Sequence, residues 1–325
     1  LDSDALPDVE AITVILISQN GSIGMPLDDL EVNTADSTNG LLSATAAQNV
    51  FVTETSGRLN VRQAVSTLKG DVRVTVRETA ASGEDLNLEG TGSAGAVNGT
   101  LTLQAGDNLN LHGSLSARNI YIRGDHRNQD VLGSQIVVDG TAVGDYAEIV
   151  TGDDADTVAV ASILMLGFVI KAGKGDDDVT GGSGNDQIYG GDGVDRLHGG
   201  AGNDWLNAGS GIGDELYGDA GDDILIGSDQ GSESDPNFED TVRFGDCLDG
   251  GAGNDRIHGL GGADRILGGS GDDSIDAGSG SDLVHGGDGN DWLFAGAGLL
   301  DELYGEAGDD SLIGSNNGND QLLGG

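Results

Sequence analysis

From Ala172 onward the chain obeys a nine-residue rule, Gly-Gly-x-Gly-x-Asp-x-aliphatic-x, which leaves few ways to fold. Three copies run without a break, from Gly181 to Tyr189, Gly190 to His198 and Gly199 to Asn207. The rule returns at Gly250 and holds to the end, giving about fourteen copies in residues 172–325. A flexible linker needs no aspartate register. A strict short period instead describes a solenoid whose turns bury a thin shared core. If two nonapeptides make one coil, positions 18 residues apart share a side. That register holds: Asp255, Asp273, Asp291 and Asp310 fall on one side, and Asp264, Asp282, Asp301 and Asp320 on the other. The eighth-position aliphatics follow as Val179, Ile188, Leu197, Leu206, Leu216, Leu225, Ile257, Ile266, Ile275, Val284, Leu293, Leu303, Leu312 and Leu322.

The residue types suit a hard cation. Glycine allows positive φ and close approach of backbone, so carbonyl oxygens can point into a tight turn. The sixth-position Asp adds an anionic oxygen. Ca²⁺ takes six to eight oxygen ligands, more than one turn supplies but within reach of two turns stacked at strand spacing. These repeats resemble the RTX (haemolysin-type) calcium-binding nonapeptides. The resemblance implies a parallel β-roll around several Ca²⁺ ions and secretion by a type I route through a C-terminal signal. Carried onto this sequence, it points to Asp177, Gly182, Gly184, Asp186, Gly191, Gly193, Asp195, Gly200, Gly202, Asp204, Asp214 and Asp223 as metal-binding residues. In the second block it points to Gly251, Gly253, Asp255, Asp264, Gly269, Gly271, Asp273, Gly278, Gly280, Asp282, Gly287, Gly289, Asp291, Asp301, Asp310 and Asp320.

A longer period lies over the short one. Gly202–Leu206 recurs at Gly289–Leu293, Asp214–Gly218 at Asp301–Gly305, and Leu225–Ser228 at Leu312–Ser315, each time 87 residues on. Such an offset suggests duplication of a block. Ser228 to Asp249, with Pro236 and Cys247, breaks the rule. It reads as a loop, with Asp240-Thr241-Val242 as a point where the stack continues in part. The expected domains are a β-helix over 1–170, a first roll block over 171–227, an insertion over 228–249 and a second block over 250–325.

Residues 1–170 read as many short strands, among them Ala11–Ile17, Asn49–Val52, Leu59–Val61, Val72–Val76, Asp85–Leu88, Thr100–Leu103, Asn108–Leu111, Asn119–Ile122, Gln135–Val138 and Glu148–Val150. No segment keeps a helical period. A sandwich and a parallel β-helix both fit. Small aliphatic inward positions, with Asn, Asp and Gly at the corners, favour a parallel β-helix that continues into the β-roll. This part resembles the repeats of filamentous-haemagglutinin-like large exoproteins over about residues 10–125. The likeness is carried by Asn20-Gly21-Ser22-Ile23-Gly24, Leu30-Glu31-Val32-Asn33-Thr34, Val50-Phe51-Val52-Thr53-Glu54 and Gly70-Asp71-Val72. The resemblance implies a right-handed β-helical stalk or adhesin segment and no catalytic site.

The charge narrows the partners. With 56 acidic against 14 basic residues the formal charge is −42, which repels phosphates and anionic lipid and attracts cations. Nucleic acid is therefore excluded as a partner, and oxygen-rich sites favour Ca²⁺ over zinc or copper. Residues 1–170 hold 23 acids and 8 bases, and residues 171–325 hold 33 and 6, so the repulsion concentrates in the repeats. The roll is expected to be largely unfolded without Ca²⁺ and to fold on meeting it outside the cell. Cys247 is the single cysteine, so no intramolecular disulfide forms. No apolar run reaches the roughly 18–20 residues of a membrane span. The start at Leu1 and the end at Gly324-Gly325 suggest an excerpt of a longer polypeptide.

Other patterns have plainer readings. Gly90-x-Gly92-x-x-Gly95 lacks the helix of a dinucleotide site and reads as turn glycines. Arg123-Gly124-Asp125 reads as a chance tripeptide, and Asp156 as a solvated corner rather than the start of the roll. His112, His126, His198, His258 and His285 lack zinc spacing and read as solvated. Trp205 and Trp292 read as surface stacking, and Cys247 as an inert loop thiol. His-Glu-x-x-His, Gly-x-Ser-x-Gly and Asp-Pro-His are all absent. The main expectation is a calcium-binding, adhesive, secreted or cell-surface segment with a cell-surface or polysaccharide ligand and no enzyme activity. The alternative is a Ca-dependent carbohydrate-active enzyme of lyase or epimerase type, in which Asp125, Asp130, Asp139 and Asp145 would cluster.

Overall fold

A computed structural model describes residues 9–10, 13–25, 29–33, 41–55, 58–77, 85–124, 133–161, 167–229, 245–298, 300–315 and 319–325. The chain forms two compact units, Leu1–Val169 and Ile170–Gly325. Among the described residues there is no helix, and the strand pairs in both units are parallel. Parallel pairing rules out the sandwich, whose sheets are antiparallel. Each unit is a parallel β-solenoid.

In the first unit Leu59, Leu86, Leu109, Ile136 and Val158 stand in register, one above the next. None is more than 1% exposed. Val61, Leu88, Leu111, Val138 and Val160 form a second inward row two residues along each strand, as the period of two requires. Between these rows the side chains face outward and pair up the stack. Asn87 Nδ2 donates to Asn60 Oδ1 at 3.0 Å, and Asn110 Nδ2 donates to Asn87 Oδ1 at 2.8 Å. Asp85, 3% exposed, is neutralised by Arg58 Nε at 2.8 Å and also accepts from Asn108 Nδ2 at 2.8 Å.

The second unit is more regular. One inward row runs Val179, Leu197, Leu216, Leu248, Ile266, Val284 and Leu303. The other runs Ile188, Leu206, Leu225, Ile257, Ile275, Leu293 and Leu312. Both rows pass through the irregular segment without interruption. Glu215–Ala220 pairs with Cys247–Ala252, and Ile224–Ile226 pairs with Arg256–His258. Residues 230–244, including Pro236 and Asp240-Thr241-Val242, lie outside the described residues. A further inward site appears at the first position of the nonapeptide. It is usually glycine, but Ala172, Ala208, Ala277 and Ala295 fill it and are fully buried.

Candidate metal centres

The turns between these strands carry the glycines and aspartates. All fourteen glycines expected at the second and fourth positions have φ between 96° and 151°. That region is closed to ordinary side chains. At Gly191 a Cβ would lie 1.8 Å from the carbonyl oxygen of Gly173 one turn back. At Gly193 it would lie 1.9 Å from that of Gly175. Three second positions hold a left-handed residue that is not glycine: Asp219 at φ 71°, Leu260 at 73° and Glu306 at 70°.

The sixth-position aspartates stack in two rows, and in each row a carboxylate reaches back one turn. Asp195, Asp204, Asp214, Asp223, Asp255, Asp264, Asp273, Asp282, Asp291, Asp301 and Asp310 each accept, through Oδ1, the backbone N–H of the preceding Asp in the row. The distances run from 2.7 Å at Asp204 to 3.1 Å at Asp195. The Oδ2 of each of these eleven is buried with no hydrogen-bond partner. All but Asp310 are at most 2% exposed. Asp177 and Asp186 are buried equally well at the start of the two rows.

A buried anionic oxygen without a partner is costly. With no cation present, burial pushes Asp195, Asp204, Asp255 and Asp301 up to about 6. It pushes Asp214, Asp223 and Asp273 up to about 7. Asp282 rises to about 8 and Asp264 to about 9, burial again leading and neighbouring carboxylates adding to it. The same oxygens face backbone carbonyls. A Cβ at Gly190 would meet Asp195 Oδ2 at 2.3 Å and the Ala208 carbonyl oxygen at 2.6 Å. At Gly268 both Asp273 Oδ2 and the Gly286 carbonyl oxygen would lie at 2.4 Å. Where the first position is glycine, as at Gly190 and Gly268, the turn is thus an oxygen-lined cradle that a side chain would fill. Among the described residues no three His, Cys, Asp or Glu side chains gather around one point. A cation held here would draw on one carboxylate and several carbonyls, which suits Ca²⁺ and not a thiolate or imidazole metal.

Sequence reasoning misses Asp246 and Leu248. Asp246 is 2% exposed and sits in the row between Asp214 and Asp264, and Leu248 is fully buried. The signal was present: Asp246-Cys247-Leu248-Asp249 is the tail of a nonapeptide read backward from Gly250. Cys247 accordingly opens a strand instead of lying in a loop, with its Sγ 3.9 Å from Arg265 Nη1.

Two histidines are also more engaged than expected. His198 stacks on Tyr217 at 4.4 Å and lies 3.2 Å from Asp219, and His285 stacks on Tyr304 at 4.9 Å and lies 2.7 Å from Glu306. Parallel register puts ninth-position rings one strand spacing apart, so they pack face to face. Trp205 meets Tyr189 edge-on at 4.8 Å, whereas Trp292 is 56% exposed.

In the first unit Asp156 is not a solvated corner. It is 2% exposed and accepts the backbone N–H groups of Ser134 and, at 3.0 Å, Gly152. Asp139 lies 2.6 Å from His112 Nδ1, and Arg123 is held by Glu148 at 3.3 Å. Asp125, His126 and Asp130 lie outside the described residues.

Residues 172–206, 189–211, 209–230, 245–275, 267–298 and 301–325 match the family model of the RTX calcium-binding nonapeptide repeat. The match lies wholly within the second unit. No curated protein matches the chain, and no solved structure does. The likeness of residues 10–125 to filamentous-haemagglutinin-like exoproteins rests on the residues that carry it and on nothing further. The repeated cradles, their partnerless carboxylate oxygens and the family match agree: residues 172–325 are RTX calcium-binding repeats and take up several Ca²⁺ ions.

Proposed function

We propose that the second unit is a calcium-driven folding module of an exported surface protein, and that the first unit is a stalk or adhesive segment attached to it. The observation that carries this reading is the set of eleven buried Oδ2 atoms with no protein partner. Each nonapeptide buries one main aliphatic, too thin a core to order nine residues by itself. Stacked carboxylates add repulsion. Ca²⁺ removes that repulsion and supplies the missing folding free energy, its ligands being the row aspartates and the backbone carbonyls that face them. Extracellular calcium modules bind at about 10⁻⁴–10⁻³ M, so the repeats stay open in a calcium-poor cytosol and close outside. RTX repeats suit type I export for that reason, and a cell-surface or polysaccharide ligand suits the first unit. The carbohydrate-active alternative gains no support: of the four aspartates it needs, Asp139 is taken by His112, and Asp125 and Asp130 lie outside the described residues.

Limited proteolysis of the full chain, with fragments read by mass, tests the proposal. Millimolar Ca²⁺ should protect residues 172–325, and a chelator should expose them while leaving the first unit intact. Equal protection in both conditions would refute it.

A further inference from the structure

Two carboxylates in the rows differ from the eleven described above. Asp246 Oδ1 accepts the Asp214 N–H at 3.0 Å like its neighbours, but its Oδ2 accepts the Ser228 backbone N–H at 2.6 Å. The Ser228 hydroxyl donates to the Gly211 carbonyl at 3.0 Å, the carbonyl at the fourth position of its turn. One serine therefore occupies a backbone carbonyl and the carboxylate oxygen that the eleven other turns leave open. Ser228 is fully buried. It stands at the second position of the repeat, and it is not among the left-handed residues that fill this position elsewhere. Its N–H points at the carboxylate.

The same device recurs 87 residues on. Asp320 Oδ1 accepts the Asp301 N–H at 3.3 Å, and its Oδ2 accepts the Ser315 N–H at 2.6 Å and the Ser315 hydroxyl at 2.9 Å. Both serines close the tetrad Leu-Ile-Gly-Ser, at Leu225–Ser228 and Leu312–Ser315.

We infer that these tetrads are hydrogen-bond clasps that stand in for an ion, so that Asp246 and Asp320 hold no Ca²⁺. The inference rests on the calcium reading of the other turns. A carboxylate with both oxygens receiving N–H or O–H donors has no costly lone oxygen left for a cation to relieve. One row of sites is thereby split, with Asp195 and Asp214 before the clasp and Asp264, Asp282 and Asp301 after it. The opposite row, from Asp204 to Asp310, is unbroken. The split falls at the turn that carries residues 230–244, where sequence can be inserted without costing an ion site.

The test is the number of Ca²⁺ ions retained by the full chain, counted by native mass spectrometry in Asp264→Asn and Asp246→Asn. Asp264→Asn should retain at least one ion fewer than the unaltered protein, and Asp246→Asn the same number. Loss of ions from Asp246→Asn equal to that from Asp264→Asn overturns the clasp. Full retention by Asp264→Asn instead overturns the calcium reading. If Asp246→Asn does not fold, Asp320→Asn against Asp310→Asn makes the same comparison at the last turns. Retention by the first with loss by the second supports the clasp, and equal loss refutes it.

Discussion

Asp273 reaches back one turn to accept the Asp255 backbone N–H at 2.8 Å through Oδ1, and its Oδ2 is left buried without a partner. The first contact fixes the carboxylate in place, and the second oxygen is what a cation would meet. In Asp273→Asn the remaining oxygen can still accept the Asp255 N–H, but the charge is gone. The calcium concentration at the midpoint of folding should rise roughly tenfold, because affinity in oxygen sites tracks ligand charge. A calcium titration followed by protease protection measures it, and an unchanged midpoint would remove Asp273 from the ligands.

The pH dependence follows from the same burial. In the metal-free fold Asp214 and Asp223 sit at about 7, Asp282 at about 8 and Asp264 at about 9, against an ordinary 3.8. Between about pH 4 and 9 the folded roll therefore binds more protons than the unfolded chain, so its stability falls as pH rises. With a chelator present, the repeats should be more compact at pH 5 than at pH 8. Protons also compete with the metal, so calcium affinity should weaken over the same interval as pH falls. Circular dichroism of the chelated protein across this range checks the sign, and greater order at pH 8 would contradict it.

How much of this could be read beforehand depended on period. The second unit advances by 18 or 19 residues at nearly every step, so the Asp and aliphatic rows were legible from spacing alone. Asp246 was not, because the step from Asp214 is 32 residues and only counting back from Gly250 finds it. The Ser228 clasp was hidden for a different reason. It depends on which way one N–H points, and a serine in a glycine-rich turn carries no such label. In the first unit successive turns of the Asn60, Asn87 and Asn110 ladder differ in length, 27 and then 23 residues. Strands could be found there, but their parallel register could not.

The left-handed turns give a sharper prediction. At Gly269 φ is 112° and a Cβ would lie 2.1 Å from the Gly251 carbonyl oxygen. Gly269→Ala combines backbone strain with a clash against backbone that cannot move aside. It should destabilise the calcium-loaded roll by about 3 kcal/mol, within the range of the large single-site effects. Ala277→Gly, at a first position where glycine is the usual residue, should cost only about 1 kcal/mol in lost burial and added chain entropy. Thermal unfolding in millimolar Ca²⁺ orders the two, and a milder effect at Gly269 would show that the turn geometry is wrong.

The first unit should be indifferent to calcium and sensitive to its own ladders. Asn87 is both acceptor and donor between Asn60 and Asn110, so its amide orientation is fixed by its neighbours. In Asn87→Asp the oxygen replacing Nδ2 would face Asn60 Oδ1, turning a donor–acceptor pair into two acceptors. The contact with Asn110 Nδ2 survives, since that oxygen accepts in either residue. The net loss is one hydrogen bond plus a charge placed against a like dipole, about 1–3 kcal/mol, concentrated in the turns around residues 60–110. Hydrogen exchange of the backbone amides should show faster opening there, with no change in the repeats beyond Ala172 and none on adding Ca²⁺. Leu86, fully buried between Leu59 and Leu109, provides the comparison. Leu86→Ala should cost about 2–5 kcal/mol through the cavity it leaves, so it must open the unit more than Asn87→Asp does. The reverse order would mean that the polar ladder, and not the aliphatic rows, holds this β-solenoid together.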